Sequence, residues 1–501
     1  MRTKKFFYNS ITTALLQLCT LIAGIIIPRL MILTYGSEIN GLVSSISQFI
    51  SYFTLVEAGL SSAAVYALYK PLAEKNYDEI NGIVSAANRF YIISGCIFLS
   101  LVIGFAAIYP LFVRLEQLSP FMVGILVLIL GTSGALDFFT LSKYRVLLTA
   151  DQKTYVLSLA SILGIFINTS IIIILANLKV NIVLLRFFAL FSVFSRTIIL
   201  YLYVKINYRF INYKANPINQ ALDKRWDALY LQILGVIHQG TPVIIATLFL
   251  SLHYVSIYSV FNMVIAGIGG LLGIFISGLS ASFGDVIAKK EEKVLQKAYK
   301  QFEFTYYMII TFFYSCTFTL IMPFIRLYTA GADINYNLPV IGFLITLNGL
   351  AYNLKTPQGM LVISAGMFKE TRWRTTTQGL IAVIGGVIGA LIWGLAGILL
   401  GSIASNIYRD IDLLFFVPKY ITKLNYKYSL IRMIRVFFSV ALIVFVSSFI
   451  KYQINNYTQW IIMGFCVSII SVTITLLVNF IFDRNLFINS FKRIFSVFKR
   501  R

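Results

Sequence analysis

The sequence consists largely of apolar stretches about as long as a lipid bilayer is thick, separated by short segments that carry its charge. Hydrophobic residues make up 58% of the chain and charged residues 12%, whereas a soluble domain has about a quarter charged residues. A helix of about 20 mainly apolar residues crosses the bilayer and satisfies its own backbone hydrogen bonds there. The sequence therefore predicts an all-α, polytopic integral membrane protein.

Fourteen stretches meet this length criterion, so we expect about 14 transmembrane helices. Their approximate limits are 9–33, 40–69, 82–113, 120–147, 155–177, 181–204, 229–251, 255–286, 303–327, 338–364, 376–393, 397–417, 431–450 and 459–481. A short turn containing Gly394 separates the eleventh stretch from the twelfth, which predicts a helical hairpin.

The basic residues lie mainly in every second connecting segment. By the positive-inside rule this asymmetry places both termini in the cytoplasm. The residues that give the chain its net charge of +23 are distributed in this way. We therefore expect them to interact with the anionic lipid of the cytoplasmic leaflet and not with nucleic acid.

Two short matches indicate that the first half of the chain is repeated in the second. Gly59-Leu60-Ser61-Ser62 lies in the end of the second span as Gly278-Leu279-Ser280-Ala281 lies in the end of the eighth, and 196–204 resembles 409–417. Six spans per copy insert both copies in the same orientation, which is typical of transporters that work by alternating access.

The repeat divides the chain into five predicted parts. These are an N-terminal six-helix bundle over 1–204, a basic cytoplasmic linker over 205–228, a C-terminal six-helix bundle over 229–420, an additional two-helix unit over 421–482, and a basic cytoplasmic tail over 483–501. The sequence contains no HExxH, P-loop or GxSxG motif, and its predicted outer loops are short, so we expect a transporter and not an enzyme.

This organisation resembles the polysaccharide flippases of the multidrug/oligosaccharidyl-lipid/polysaccharide exporter superfamily. The stretch from Pro28 to Leu42, with its Pro and the turn Gly36-Ser37-Glu38-Ile39-Asn40-Gly41, resembles the first hairpin of that family, and Gly366-Met367-Phe368-Lys369-Glu370 resembles its connection between spans 10 and 11. The resemblance implies export of an undecaprenyl-pyrophosphate-linked oligosaccharide to the outer leaflet of the bacterial cytoplasmic membrane. It also implies proteins of polysaccharide assembly as partners.

Two other members of the superfamily remain as alternatives. The lipid II flippases have the same number of spans, but they carry a basic cluster early in the chain, where the first span here holds only Arg29. The ion-coupled multidrug antiporters usually have fewer spans.

Charged residues inside spans are costly and usually face a cavity or a partner. For a diphosphate and sugars, the predicted binding residues are Arg29, Arg196, His238, Lys355 and Arg409, and we expect Arg196 and Arg409 to face each other across a central cleft. The predicted sites for a coupling Na⁺ or H⁺ are Glu57, Asp137 and Asp410, with no metal cofactor. The alternative for each charge is a structural ion pair or snorkelling toward an interface.

Overall fold

The computed structural model describes residues 2–57, 59–113, 115–218, 235–236, 240–277, 279–450 and 453–488. Throughout these residues the regular secondary structure is helical, without β-strands. Ten of the described helices are long and apolar enough to cross a membrane by length and composition. The protein is an all-α, multi-pass membrane protein, as the sequence predicts.

The chain forms two compact units, Met1–Ser256 and Ile257–Arg501. The helices of the first unit are α1 (Arg2–Phe53), α2 (Leu60–Glu74), α3 (Tyr77–Phe112), α4 (Pro120–Leu136), α5 (Ser142–Ala150), α6 (Thr154–Asn177), α7 (Ile182–Ala189), α8 (Phe191–Asn207) and α9 (Gly240–Phe249). Helix α10 (Leu252–Ser277) begins in the first unit and continues in the second.

The second unit continues with seven further helices. These are α11 (Leu279–Ala288), α12 (Glu292–Tyr328), α13 (Pro339–Leu354), α14 (Thr356–Ser364), α15 (Phe368–Val417), α16 (Lys427–Ser448) and α17 (Tyr457–Phe482). The predicted limits of the five sequence parts stay predictions, and residues 229–234 and 237–239 of the seventh predicted span lie outside the described residues.

Glycines with positive φ divide the two longest helices into pairs of spans. Gly36 in α1 has φ 87° and ψ 166°, and Gly394 in α15 has φ 59° and ψ −134°. Residues with a Cβ rarely adopt these angles, so each glycine makes the connection between two helices. The hairpin predicted around Gly394 is confirmed.

Close backbone packing holds the α15 hairpin together. A Cβ added at Gly397 would lie 1.9 Å from the carbonyl oxygen of Gly389, and one at Gly401 would lie 2.4 Å from the backbone nitrogen of Gly386. Small residues at such crossings let helix backbones approach one another, which is how spans associate without a hydrophobic driving force.

Two of the predicted continuous spans are wrong because the helices are interrupted. The second span ends at Phe53, where a 3₁₀ turn over Thr54–Glu57 and Gly59 at φ 80° precede α2. The tenth divides into α13 and α14 on either side of Lys355. Apolar composition does not reveal such breaks, because each fragment is as hydrophobic as an unbroken span. The sixth is confirmed, since α7 and α8 are separated only by Leu190 and together form one apolar segment of spanning length, Ile182–Asn207.

The same packing order recurs in each unit. Helix α2 packs on α3 and α5 in the first unit, as α11 packs on α12 and α14 in the second. Helices α2 and α11 begin at Leu60 and Leu279, the residues that the repeated sequence motif brings into register. This recurrence is what an internal repeat of the helical unit produces.

The additional helices α16 and α17 both pack on α12. The hydroxyl groups of Ser315 and Ser471 hydrogen-bond at 2.7 Å, and the Trp460 indole donates to the carbonyl of Leu320 at 3.2 Å. Large apolar side chains on the outer faces of the spans stay exposed, for example Phe465, which is 70% exposed. Lipid covers such a surface in a membrane protein.

A carboxylate in the turn between α5 and α6 joins several segments of the first unit. Asp151 accepts hydrogen bonds from the Tyr208 hydroxyl at 2.5 Å and from the Lys5 ammonium at 3.0 Å, and pairs with Lys153 at 2.9 Å. Burial raises the pKa of Asp151, but the hydrogen bonds from Tyr208, Lys153 and Lys5 outweigh it, so that its pKa lies below the usual value.

The described start of the predicted cytoplasmic linker is fastened to α3. The Ser85 hydroxyl donates to the carbonyl of Ala215 at 2.7 Å, and the Asn81 amide donates to the carbonyl of Phe210 at 3.0 Å. These bonds satisfy backbone groups of an irregular segment, which a buried loop requires.

Candidate functional site

The first unit holds two acid–base pairs at places where helices are interrupted. Glu57 closes the 3₁₀ turn after α1, and its carboxylate lies 3.4 Å from the Arg145 guanidinium. Asp137 opens the π-helical turn after α4 and lies 3.6 Å from Arg196 on α8. Two of the residues predicted for ion coupling therefore have cationic partners, as the alternative role of a structural ion pair requires.

The second unit has a charge pair in which the base, and not the acid, lies at the helix break. Lys355, at the break between α13 and α14, donates to the side-chain oxygen of Asn406, and the Asn406 amide donates to Asn348 at 2.9 Å. Asp410, one turn further along α15, interacts electrostatically with Lys355, but its buried Oδ1 has no hydrogen-bond partner among the described residues.

The two units place charge pairs near corresponding points of the predicted repeat, although Asp410 is one residue beyond Arg409, which the sequence match aligns with Arg196. The fourth helix of the first copy carries the acid Asp137, and its partner Arg196 lies on the sixth. In the second copy the base Lys355 lies at the break in the fourth helix, and the acid Asp410 lies on the sixth. Such pairs remove most of the cost of a charge inside a span.

A second cluster in the second unit carries more positive than negative charge. Arg409 pairs with Asp412 at 2.6 Å, and Arg374 pairs with the other oxygen of the same carboxylate. Asp412 is 5% exposed at its side chain and Arg409 is 8% exposed. Two guanidinium groups therefore share one carboxylate, near the end of the α15 hairpin that carries both of its termini.

Sequence reasoning missed the most connected buried charge of the second unit. Glu303 on α12 accepts from Arg432 at 2.7 Å, from Ser429 at 2.6 Å and from Tyr299 at 2.7 Å. Glu303 and Arg432 are 1% and 4% exposed at their side chains. A sequence signal existed, since an acid opens the ninth predicted span and a base opens the thirteenth at the same predicted side of the membrane.

The other predictions for substrate binding concern Arg29, His238 and the opposition of Arg196 and Arg409. Arg29 is half-buried in α1, seven residues before Gly36. His238 lies outside the described residues. Arg196 and Arg409 belong to different units, and their predicted opposition across a central cleft stays a prediction.

Comparison with known proteins gives no match by sequence but a clear match by fold. No protein-family model matches the chain, and no curated protein does so. Among solved structures, one described as lipid II flippase MurJ in an inward closed conformation aligns with a TM-score of 0.73 and 16% identity, over 95% of this chain and 99% of that one.

Structures described as transporters align as well. An inward-facing multidrug resistance MATE family transporter of the MOP superfamily gives a TM-score of 0.66 and 13% identity, over 85% of this chain and 98% of that one. A MOP superfamily transporter from Pyrococcus furiosus gives 0.56 and 15%, over 86% and 96%. The chain shares the fold of these flippase and transporter structures. At these identities the likeness establishes the fold and leaves the substrate to be argued from the residues.

Proposed function

We propose that this protein is a flippase that moves an undecaprenyl-pyrophosphate-linked oligosaccharide from the cytoplasmic to the outer leaflet of the bacterial cytoplasmic membrane by alternating access. The fold supports a transporter, because the aligned structures are described as flippases or transporters. The charges of the second unit support an anionic substrate.

The observation that carries the proposal is the pair of arginines that share Asp412. Arg409 is 8% exposed at its side chain and Arg374 is 43% exposed, and one carboxylate offsets only one of their two positive charges. By the helical rise, Asp412 lies roughly 8 Å from the end of α15 at Val417. That depth suits a lipid diphosphate entering from the leaflet on the side of the hairpin termini, which the sequence predicts to be cytoplasmic.

Guanidinium groups fit this substrate better than ammonium groups. Their planar donors bind two phosphate oxygens at once, and they keep their charge when partly buried. In the proposed cycle Arg374 and Arg409 bind the diphosphate while Asp412 keeps both arginines in position.

For ion coupling, the structure favours Asp410 over Glu57 and Asp137. Glu57 and Asp137 lie 3.4 Å and 3.6 Å from arginines. Asp137 and Asp410 each have a buried Oδ1 without a hydrogen-bond partner, but among the residues described only Asp137 of these two has an arginine within 4.0 Å. We propose that Asp410 binds the coupling H⁺ or Na⁺ in competition with Lys355. Asp410→Asn is then expected to remove the dependence of transport on the ion gradient.

Two related functions remain as alternatives. A lipid II flippase is favoured by the extent of the alignment with the MurJ structure, which covers 95% of this chain. A multidrug antiporter is consistent with the fold, but a drug site for cations does not call for surplus arginine charge.

The test is a transport assay in cells that depend on this protein. Depletion is expected to leave lipid-linked repeat units on the cytoplasmic face, measured by their protection from a membrane-impermeant periodate reagent. Arg409→Gln and Arg374→Gln are each expected to lower the outward rate by about 10-fold or more, which is the loss of one charge-assisted hydrogen bond.

Arg326→Gln is the matched control. Arg326 also lies near a span end, but it donates to the carbonyl of Ile454 at 2.6 Å and is not part of the cluster of Arg374, Arg409 and Asp412. The outward transport rate of this variant is therefore expected to stay near that of the wild type. Normal outward movement in depleted cells would overturn the proposal. Accumulation of lipid II alone on the cytoplasmic face would replace it with the first alternative.

A further inference from the structure

A cavity of about 490 Å³ lies wholly within the first unit, between α1, α4, α6, α7 and α8. We call it the unit 1 cavity. Its lining includes the side chains of Gln17, Ser133 and Asn168, together with Arg186 and Arg196. Pockets that hold small ligands have volumes of about 300–1,000 Å³ and a few convergent polar groups, and the unit 1 cavity meets both conditions.

The cavity is cationic. Arg196 has one carboxylate nearby, Asp137 at 3.6 Å, but no acidic residue is among those that line the space. In the part of the chain that the structure describes, Arg186 forms no ion pair within 4.0 Å, and its buried Nε has no hydrogen-bond partner. A guanidinium that lines a cavity inside a membrane unit, and whose buried Nε has no hydrogen-bond partner, indicates a site for an anion.

A glycine gives Arg196 its place in the wall. A Cβ added at Gly164 on α6 would lie 2.5 Å from Cδ of Arg196 and 2.7 Å from its Cγ. These atoms are in the middle of the side chain, so the arginine would have to leave its position. The close approach of α6 and α8 at Gly164 therefore helps to hold the guanidinium beside the cavity.

We propose that the unit 1 cavity binds a phosphate-bearing ligand, and that Arg186 is its principal anchor with Arg196 as the second cation. Hydroxyl and amide groups of Ser133, Asn168 and Gln17 supply neutral donors for the remaining oxygens. The assignment to the diphosphate of a lipid-linked substrate rests on the proposed function, and it makes the unit 1 cavity a second diphosphate site, in addition to Arg374 and Arg409, for a different stage of the cycle. The anion site itself rests only on the cavity and its charges.

The test is a binding measurement on the purified full-length protein in detergent, with geranyl diphosphate, inorganic pyrophosphate and geraniol as probes. Arg186→Met is expected to weaken geranyl diphosphate binding by about 10-fold or more. It is expected to fold, because it removes a buried charge without leaving a partner unpaired. Arg186→Lys is expected to bind with intermediate affinity, because an ammonium keeps the charge but not the planar donors.

Glycine variants give an independent measurement. Gly164→Ala is expected to weaken binding by displacing Arg196. The matched control is Gly104→Ala on α3, where an added Cβ has no heavy atom within 4 Å, and its affinity is expected to equal that of the wild type. Thermal unfolding of each variant separates loss of binding from loss of fold.

The probes distinguish the sources of phosphate. Binding of geranyl diphosphate well above pyrophosphate supports the lipid-linked ligand, whereas equal affinity supports the anion site and contradicts the lipid assignment. Wild-type affinity in Arg186→Met, or geraniol bound as tightly as geranyl diphosphate, would overturn the inference. If depleted cells flip the substrate normally but diphosphate binding depends on Arg186, the proposed function is refuted and the anion site stands.

Discussion

Replacing Glu303 is expected to destabilise the second unit more than replacing an exposed carboxylate does. Its two oxygens accept hydrogen bonds from Arg432, Ser429 and Tyr299, and more weakly from Gln358 at 3.3 Å. In Glu303→Gln the amide keeps the shape but loses the charge. Arg432 is then left with Asp483 at 3.6 Å as its nearest carboxylate.

The magnitude follows from burial. Breaking a buried ion pair by removing one partner costs about 3–5 kcal/mol, because the remaining charge stays desolvated. Removing both partners is much milder, so Glu303→Met combined with Arg432→Met is expected to be less destabilised than either single variant. The coupling energy, which is the sum of the two single losses minus the loss in the double variant, is then expected to be about 3 kcal/mol or more.

The assay is unfolding of the purified protein in a titration with sodium dodecyl sulfate, followed by circular dichroism. Glu292→Gln is the matched control, because Glu292 pairs with Lys423 and both side chains are more than half exposed. Such a pair contributes about 1 kcal/mol or less. An unfolding midpoint of Glu303→Gln that coincides with the control would refute the reasoning, and so would additive losses in the double variant.

Two further predictions concern the loops and the hairpin. Because the pKa of Asp151 is lowered, its stabilising effect is present above its unfolded pKa of about 3.9 and is lost as the pH falls through the lower folded value. Asp151→Asn is expected to cost about 1 kcal/mol or less at pH 7, and a scan of unfolding midpoint against pH should show the wild-type advantage vanish only in acid. Gly397→Ala is expected to cost about 1–3 kcal/mol, because the new methyl group meets the backbone of Gly389; unfolding as mild as in Gly104→Ala would contradict this.

The amino-acid sequence by itself determined the membrane class and the approximate positions of the spans. Length and apolar composition are sufficient for this, because a backbone in lipid has to satisfy its own hydrogen bonds and a helix does so locally. The turn at Gly394 was predictable for a similar reason, since Gly is the residue that adopts positive φ at little cost.

Only the tertiary structure decided which charges are paired. Arg432 is 129 residues from Glu303, and Arg196 meets an acid on a different helix of its unit. Hydropathy does not separate a lipid-facing side from a protein-facing side, because lipid tails are as apolar as leucine. The same limit hid the helix breaks at Glu57 and Lys355, which depend on packing by neighbouring helices that the sequence pattern does not reveal.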